Sequence, residues 1–448
     1  MMGRRHVTMS SAATQKFPKR LNLPSELWDL VIDHLCADIR SLKMCSLVCK
    51  AWSRRTEPHL FNTLSYSYSN YNAPDAEDLA AFLSASPRIA QHIHTLRYSR
   101  WINFTLSTLV RILLCLRNIC NLELDRVRIV DEPDVLVHGH HLCSPHPPLG
   151  HLDTFSLLCC KPTDSIAIFH LLDMFTSIAR LTLHGSTVSM NRTMMLNEVS
   201  EVYPTRLAVD TLSTENLPWQ FLSSMVHRQS TMARSVTSLR LRLPSNVYGY
   251  YPPPAIGAVL DILQSLQHFQ FGPLTDAGLR TVIAQGHALG QMNLHRCKRL
   301  QIVEFTLPTL LRAIALRELL HVITTLPLPA SVRELRLSFV GHVPRCCAPP
   351  ERQALLEYFL WAELDNRMLE MPSRVHFRFA IAEVRDDQKR FREWEYVDSF
   401  RTFCTTTLPG VTESRRLSVL TEVPVSANAV PGCPCPQCCR GSKLEECD

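Results

Sequence analysis

The chain has 448 residues, 46% of them hydrophobic, enough for two or three domains around a sizeable core. A net charge of +6 is mildly basic and falls short of a dedicated nucleic-acid binder, so nucleic acid is not expected as a partner. Its 14 glycines are about half the usual frequency, neither GxGxxG nor GxxxxGK[ST] occurs, and no apolar run reaches the roughly 18 residues of a membrane span. Phosphate-cradling loops and a membrane partner are therefore not expected.

Residues 1–20 carry Arg4, Arg5, His6, Lys16, Lys19 and Arg20 with no acid and no apolar stretch, which reads as a disordered basic tail rather than a secretory signal. The 17 cysteines then read as reduced thiols of a cytoplasmic or nuclear protein, since most, such as Cys45, Cys115, Cys120 and Cys297, sit in apolar periodic stretches.

Residues 21–65 pack three short amphipathic helices into a length too small to bury a self-sufficient core. Pro24 suits the first helical turn, Leu27, Val31 and Leu35 fall at i, i+4 and i+8 beside Trp28 and Ile32, and Asp38 can cap a second helix carrying Leu42 and Cys45. Leu47, Val48 and Trp52 continue into a third. So many apolar positions on so small a unit predict an outward apolar patch, which usually means a partner.

These residues resemble an F-box. Leu23-Pro24, Glu26-Leu27, Val31-Ile32-x-x-Leu35, Ser46-Leu47-Val48-Cys49-Lys50-Ala51-Trp52 and Leu60-Phe61 match its pattern in type and spacing. The segment Cys36–Arg40 departs from it by lacking the usual Asp-Leu pair, for which Ile39 or Leu42 must stand in. The resemblance implies docking on a Skp-type adaptor, and so a link to a cullin–RING ubiquitin ligase, through Leu23, Pro24, Leu27, Ile32, Leu35, Leu42, Val48, Cys49 and Trp52.

Asp75–Arg88 reads as a capped helix joining this unit to residues 66–349, where a six-residue pattern, apolar-x-x-apolar-x-apolar, recurs. Eight copies begin at Ile93, Ile119, Leu152, Ile178, Val236, Leu266, Leu289 and Val332, and degenerate ones lie around Leu207-Ala-Val209 and Val375-His-Phe377. The last three positions alternate as a half-buried strand does. Helical stretches are predicted between copies at Leu106–Leu116, Ile166–Phe175, Ala255–Leu266 and Leu307–Leu320. A strand and a returning helix about every 23–33 residues resemble leucine-rich repeats, so the expected fold is an α/β repeat: an N-terminal three-helix F-box, then an irregular leucine-rich-repeat-like solenoid. Residues 350–424, with an amphipathic helix over 350–371 and a last strand over Arg415–Leu420, would cap it, and 425–448 would be a disordered cysteine-rich tail. The whole order resembles divergent fungal F-box proteins.

Polar residues between and after the paired apolar ones should line the recognition face. Among them Arg97, Arg240, Arg242 and Arg336 outnumber two acids, Glu123 and Asp125, both on the second strand, which predicts a protein target with acidic or phosphorylated segments. Cys435-x-x-Cys438 has half the spacing of a zinc site but lacks a separated second pair. The histidines His138, His140, His141, His146 and His151 read as a surface insertion, and Tyr66, Tyr68, Tyr71, Tyr248, Tyr250 and Tyr251 as loops. No GxSxG, HExxH or Walker motif is present, and no catalytic residue, metal or cofactor is assigned. The function expected is a non-catalytic substrate-recognition subunit of an SCF-type ligase; the alternative is an F-box and repeat scaffold acting outside the ligase.

Overall fold

Alternation of apolar and polar side chains suits a strand with one buried face, and the described residues of the computed structural model contain twelve strands in one parallel sheet. It describes residues 24–67, 75–130, 149–158, 165–185, 206–215, 217, 219–226, 230–242, 253–272, 292–308, 326–341, 361–370, 374–381, 402, 405–406, 408–414 and 416–422. The fold is mixed α/β, and the chain divides into two units, Met1–Leu60 and Phe61–Asp448.

In the larger unit the strands are β1 (Thr63–Ser67), β2 (Thr95–Thr105), β3 (Asn121–Val130), β4 (Leu149–Leu158), β5 (Phe175–His184) and β6 (Ala208–Glu215). They continue as β7 (Ser238–Arg242), β8 (His268–Phe271), β9 (Ile302–Pro308), β10 (Glu334–Gly341), β11 (Arg374–Ile381) and β12 (Leu417–Glu422). Their order across the sheet is their order in sequence. Parallel neighbours need a crossover of about a dozen residues or more. Helices such as Ala76–Ala85, Leu106–Cys115, Ser165–Asp173, Pro253–Ile262 and Trp361–Glu370 lie in those crossovers. Asp75 and Thr105 cap two of them by accepting from the N–H groups of Asp78 and Thr108.

Strand pairing aligns the repeated positions into continuous rows. Leu64, Leu96, Leu122, Phe155, Leu181, Leu212, Leu239, Phe269, Val303 and Leu335 form one. Tyr66, Tyr98, Leu124, Leu157, Leu183, Thr214, Leu241, Phe271, Phe305 and Leu337 form the next. From Leu96 and Tyr98 onward these side chains are buried, as are the row starters Ile93, Ile119, Leu152, Ile178, Val209, Val236, Leu266, Leu300 and Val332. Helix residues such as Leu109, Ile112, Leu172 and Val259 belong to the same core. Burial of each large side chain is worth about 1.5–3 kcal/mol. At the end of β8 Gly272 has φ 118°, and a Cβ there would run into the Thr306 carbonyl, so close strand approach requires glycine.

Several expectations are corrected. The described part of the copy at Leu289–Leu294, Met292–Leu294, is no strand: it leads through Asn293, at φ 53°, into a 3-10 turn, Leu294–Arg296. The strand lies one step later, as Leu300-Gln-Ile-Val303-Glu-Phe305. In the degenerate copy Leu207 and Val209 were expected at the fourth and sixth positions; Val209 instead takes the first, pairing with Ile178, and Leu212 and Thr214 take the other two. Phe61-Asn-Thr-Leu64-Ser-Tyr66 supplies a further copy, and Tyr66 stands on β1 against Tyr98, ring centroids 5.5 Å apart, not in a loop. Leu307 and Pro308 end β9 rather than start a helix, and the rest of Leu307–Leu320 lies outside the described residues. The helix expected over 75–88 stops at Ala85, Ser86 breaks it, and a short turn of helix follows over Pro87–Ala90.

Leu181 is fully buried mid-row, so Leu181→Ala should cost about 2–5 kcal/mol in chemical denaturation. Arg180→Ala, exposed on the same strand, should stay within about 0.5 kcal/mol.

Candidate functional site

The amino-terminal unit, described from Pro24, is built from α1 (Ser25–His34), α2 (Ile39–Ser46) and α3 (Lys50–Leu60). Pro24 stands just before the first helical residue, and its carbonyl accepts from the N–H groups of Leu27 at 3.1 Å and Trp28 at 3.4 Å. Asp38 caps α2: its Oδ1 accepts from the N–H groups of Arg40 and Ser41, each at 3.1 Å, and its Oδ2 accepts from the Ser41 hydroxyl at 2.6 Å. Those donors, the Ser41 hydroxyl foremost, hold the carboxyl below the usual carboxylate range.

Two features tie α1 to α3. The rings of Trp28 and Trp52 meet at 4.8 Å between centroids. Asp33 accepts from Arg55 through both Nε, at 2.9 Å, and Nη2, and its Oδ1 lies 2.9 Å from His59 Nε2. Hydrogen bonding from the Arg55 guanidinium holds the Asp33 carboxyl below its ordinary value, against the opposing effect of burial, and Asp33 in turn raises Arg55.

With three helices and little volume between them, Ile32 and Leu42 are, among the described residues of the unit, the large apolar side chains that are wholly buried. Leu27, Leu30 and Val31 of α1, Ile39 and Met44 of α2, and Leu47 and Val48 just after it are exposed; Leu47 is 80% accessible, Met44 64% and Val48 62%. Among the described residues the other exposed large hydrophobics are Phe82 and Leu369. The unit thus concentrates nearly all such surface on about two dozen residues.

Pro24, Leu27, Val48 and Cys49, expected to dock, are exposed, and Leu35 and Trp52 are half-buried. Leu23 lies outside the described residues. Ile32 and Leu42 are corrections: one residue on from Val31, Ile32 is turned about 100° around α1 and fills the interior with Leu42, so neither is available to a visitor. Leu30, Val31, Ile39, Met44 and Leu47 join the outward face without having been assigned to it. The signal for them was the same excess of apolar residues over interior volume.

On the sheet, the face opposite the apolar rows is polar and largely self-neutralised. Arg97 lies 3.2 Å from Glu123, Arg242 3.2 Å from Glu215, and Arg336 2.5 Å from Glu334. His184 lies 3.5 Å from Glu215, and the Ser99 hydroxyl donates to Asp125 at 2.6 Å. Glu304, 3% accessible, accepts from Gln270 at 3.2 Å and Ser338 at 2.7 Å and lies 3.4 Å from His268. The expected excess of arginine is therefore corrected: acids are spread over β3, β6, β9 and β10, and three of the four arginines expected to line the face are paired. Arg240 is exposed on β7.

No family model matches the chain, and no curated protein is similar to it. Among the described residues no cluster of three His, Cys, Asp or Glu side chains is arranged to hold a metal ion, and no helix is long and apolar enough to cross a membrane. The cysteines from Cys433 onward and the histidines His138–His146 lie outside the described residues; His151 is exposed on β4, 2.9 Å from the Ser177 hydroxyl and 3.2 Å from Asp153. Cys297 is a core thiol, pushed up to about 11 by burial.

Because the folded state depresses Asp33, its contribution is present above the ordinary carboxylate range and is lost as pH falls through the depressed value. Both partners are partly exposed, which limits the effect to about 1 kcal/mol. Asp33→Asn should speed amide exchange in residues 25–60 severalfold at neutral pH and flatten its acid dependence, as hydrogen-exchange mass spectrometry would record.

Proposed function

We propose that the protein is the substrate-recognition subunit of an SCF-type cullin–RING ubiquitin ligase. In this reading the three-helix unit is an F-box that docks on a Skp-type adaptor, and the repeated strands form an irregular leucine-rich-repeat-like solenoid that holds a target protein. The observation that carries it is the set of exposed apolar side chains, Leu27, Leu30, Val31, Ile39, Met44, Leu47 and Val48, on a unit whose sequence has the F-box pattern. Water-exposed apolar surface of that density is the mark of a protein interface. The sequential parallel order of the twelve strands supports the repeat half of the reading, because units that bury their apolar faces on one another grow along one dimension.

The subunit needs no reacting side chain of its own. Holding a target beside the ubiquitin-loaded enzyme raises effective concentration and orientation, which accelerates transfer without chemistry in this chain. Bound to the ligase at one unit and to the target at the other, the chain acts as a bridge.

Covering each exposed leucine or valine should be worth about 1–2 kcal/mol. A Leu27→Ala, Leu47→Ala, Val48→Ala triple variant should therefore lose at least about 100-fold in adaptor affinity, measured by co-purification and by titration, with an unchanged far-ultraviolet circular dichroism spectrum because the three side chains are exposed. Undiminished adaptor binding in a folded triple variant would refute the reading.

A further inference from the structure

On the polar face of the sheet Arg97, Arg242 and Arg336 are paired with acids, whereas at one end of the strands three cations converge without such partners among the described residues. A concavity of about 510 Å³ opens at the leading ends of β8, β9 and β10, lined by Gln267, Lys298, Arg299, Gln301, Ser331 and Arg333 together with Ala330. Gln267, Gln301 and Arg333 occupy equivalent positions, each one residue before its strand. The Gln301 N–H donates to the Gln267 carbonyl at 2.8 Å, and the Arg333 N–H to the Gln301 carbonyl at 2.8 Å. Lys298 and Arg299 come from the turn before β9, and Ser331 from the turn before β10. The scaffold beneath is rigid, since Leu300 and Val332 anchor the two turns in the core.

Lys298, Arg299 and Arg333 are exposed and, among the described residues, have no ion-pair partner. The contrast with their surroundings is direct: Arg296, close by in sequence, is held by Asp261 at 2.7 Å. Three like charges brought to one concavity repel one another, an arrangement that an anion relieves. Ser331 adds a buried hydroxyl without a hydrogen-bond partner among the described residues, a donor that the fold does not use. The two glutamine side chains offer paired donors and acceptors of the kind that match a peptide backbone.

We infer that this concavity binds an oxyanion-bearing protein segment, a carboxylate or phosphate group against Lys298, Arg299 and Arg333 with the flanking backbone along Gln267 and Gln301. Nucleic acid fits less well. Among the described residues no aromatic ring lines the site to stack a base, and the neighbouring Arg296 is already neutralised by Asp261 and does not extend the positive patch. That the segment belongs to a ligase target rests on the function proposed above; the affinity of the site for the anion does not.

The test uses the full chain and three capped peptides, Gly-phosphoserine-Gly, Gly-Glu-Gly and Gly-Ser-Gly, with a single-stranded RNA oligomer as a fourth probe. The wild-type protein should bind the phosphoserine or the glutamate peptide at least tenfold more tightly than the serine peptide, and whichever of the two leads names the source of the oxyanion. The triple charge reversal Lys298→Glu, Arg299→Glu, Arg333→Glu should abolish that preference. The milder Lys298→Gln, Arg299→Gln pair should reduce it severalfold, and Arg240→Glu, on the sheet face, should leave it intact. Equal binding of all three peptides, an unaltered preference in both the reversal and the glutamine variants, or RNA binding more tightly than any peptide would overturn the inference. Adaptor capture on the same preparations reports separately on the ligase reading, because the substitutions lie in the other unit.

Discussion

The larger unit rests on register. A slip of one residue in any strand would carry its apolar pair to the polar face and bring residues such as Arg97 or Glu123 into the core. The row from Leu64 through Leu181 to Leu335 therefore works as a single constraint rather than as separate contacts, each rung depending on the one before and after it. The same register sets the polar chemistry. Arg97 meets Glu123 and Arg242 meets Glu215 because those positions lie opposite one another on neighbouring strands, and the unpaired cations at the ends of β9 and β10 converge for the same reason.

Much of this was legible in the sequence, wherever a copy kept all three apolar positions. Ile93-x-x-Leu96-x-Tyr98 and Ile178-x-x-Leu181-x-Leu183 became strands because a strand puts their paired apolar residues on one buried face. The pattern failed where chemistry at one position broke it or where two frames competed. Thr214 stands at the sixth position of the β6 copy, so Leu207 and Val209 imitated its fourth and sixth positions and hid Glu215 from the inventory of the polar face. Leu289–Leu294 fits the pattern as well as Leu300–Phe305 does, and the apolar pattern by itself says nothing of the left-handed Asn293 that turns the chain before the true strand. Missing that strand also hid Glu304 and the alignment of Gln267, Gln301 and Arg333. Cross-strand ion pairs were out of reach for a plainer reason, since they need the register of two strands at once.

In the helical unit the number of apolar residues was informative and their division was not. An excess over what three short helices can enclose required some to face outward, but which ones depends on the rotation of each helix about its own axis. Ile32 and Val31 are adjacent in sequence and similar in chemistry; one is sealed and the other open. Asp33, with Arg55 and His59, sets part of that rotation by fixing α1 against α3. The two proposed surfaces are thus of different kinds: an apolar one left over from a unit too small to hide it, and a charged one beside a sheet face where Arg97, Arg242 and Arg336 meet acids.

The central claim is that the apolar face of the helical unit is open in the free chain and covered by an adaptor. Cys49, exposed beside Val48, offers a direct reporter, and the half-buried Cys115, in the larger unit, an internal reference. Maleimide labelling followed by peptide mass spectrometry, with and without saturating Skp-type adaptor, measures both at once. The account predicts that the adaptor slows labelling of Cys49 at least about tenfold, as burial of a thiol requires, and leaves Cys115 unchanged. An unchanged rate at Cys49 under saturating adaptor would contradict it.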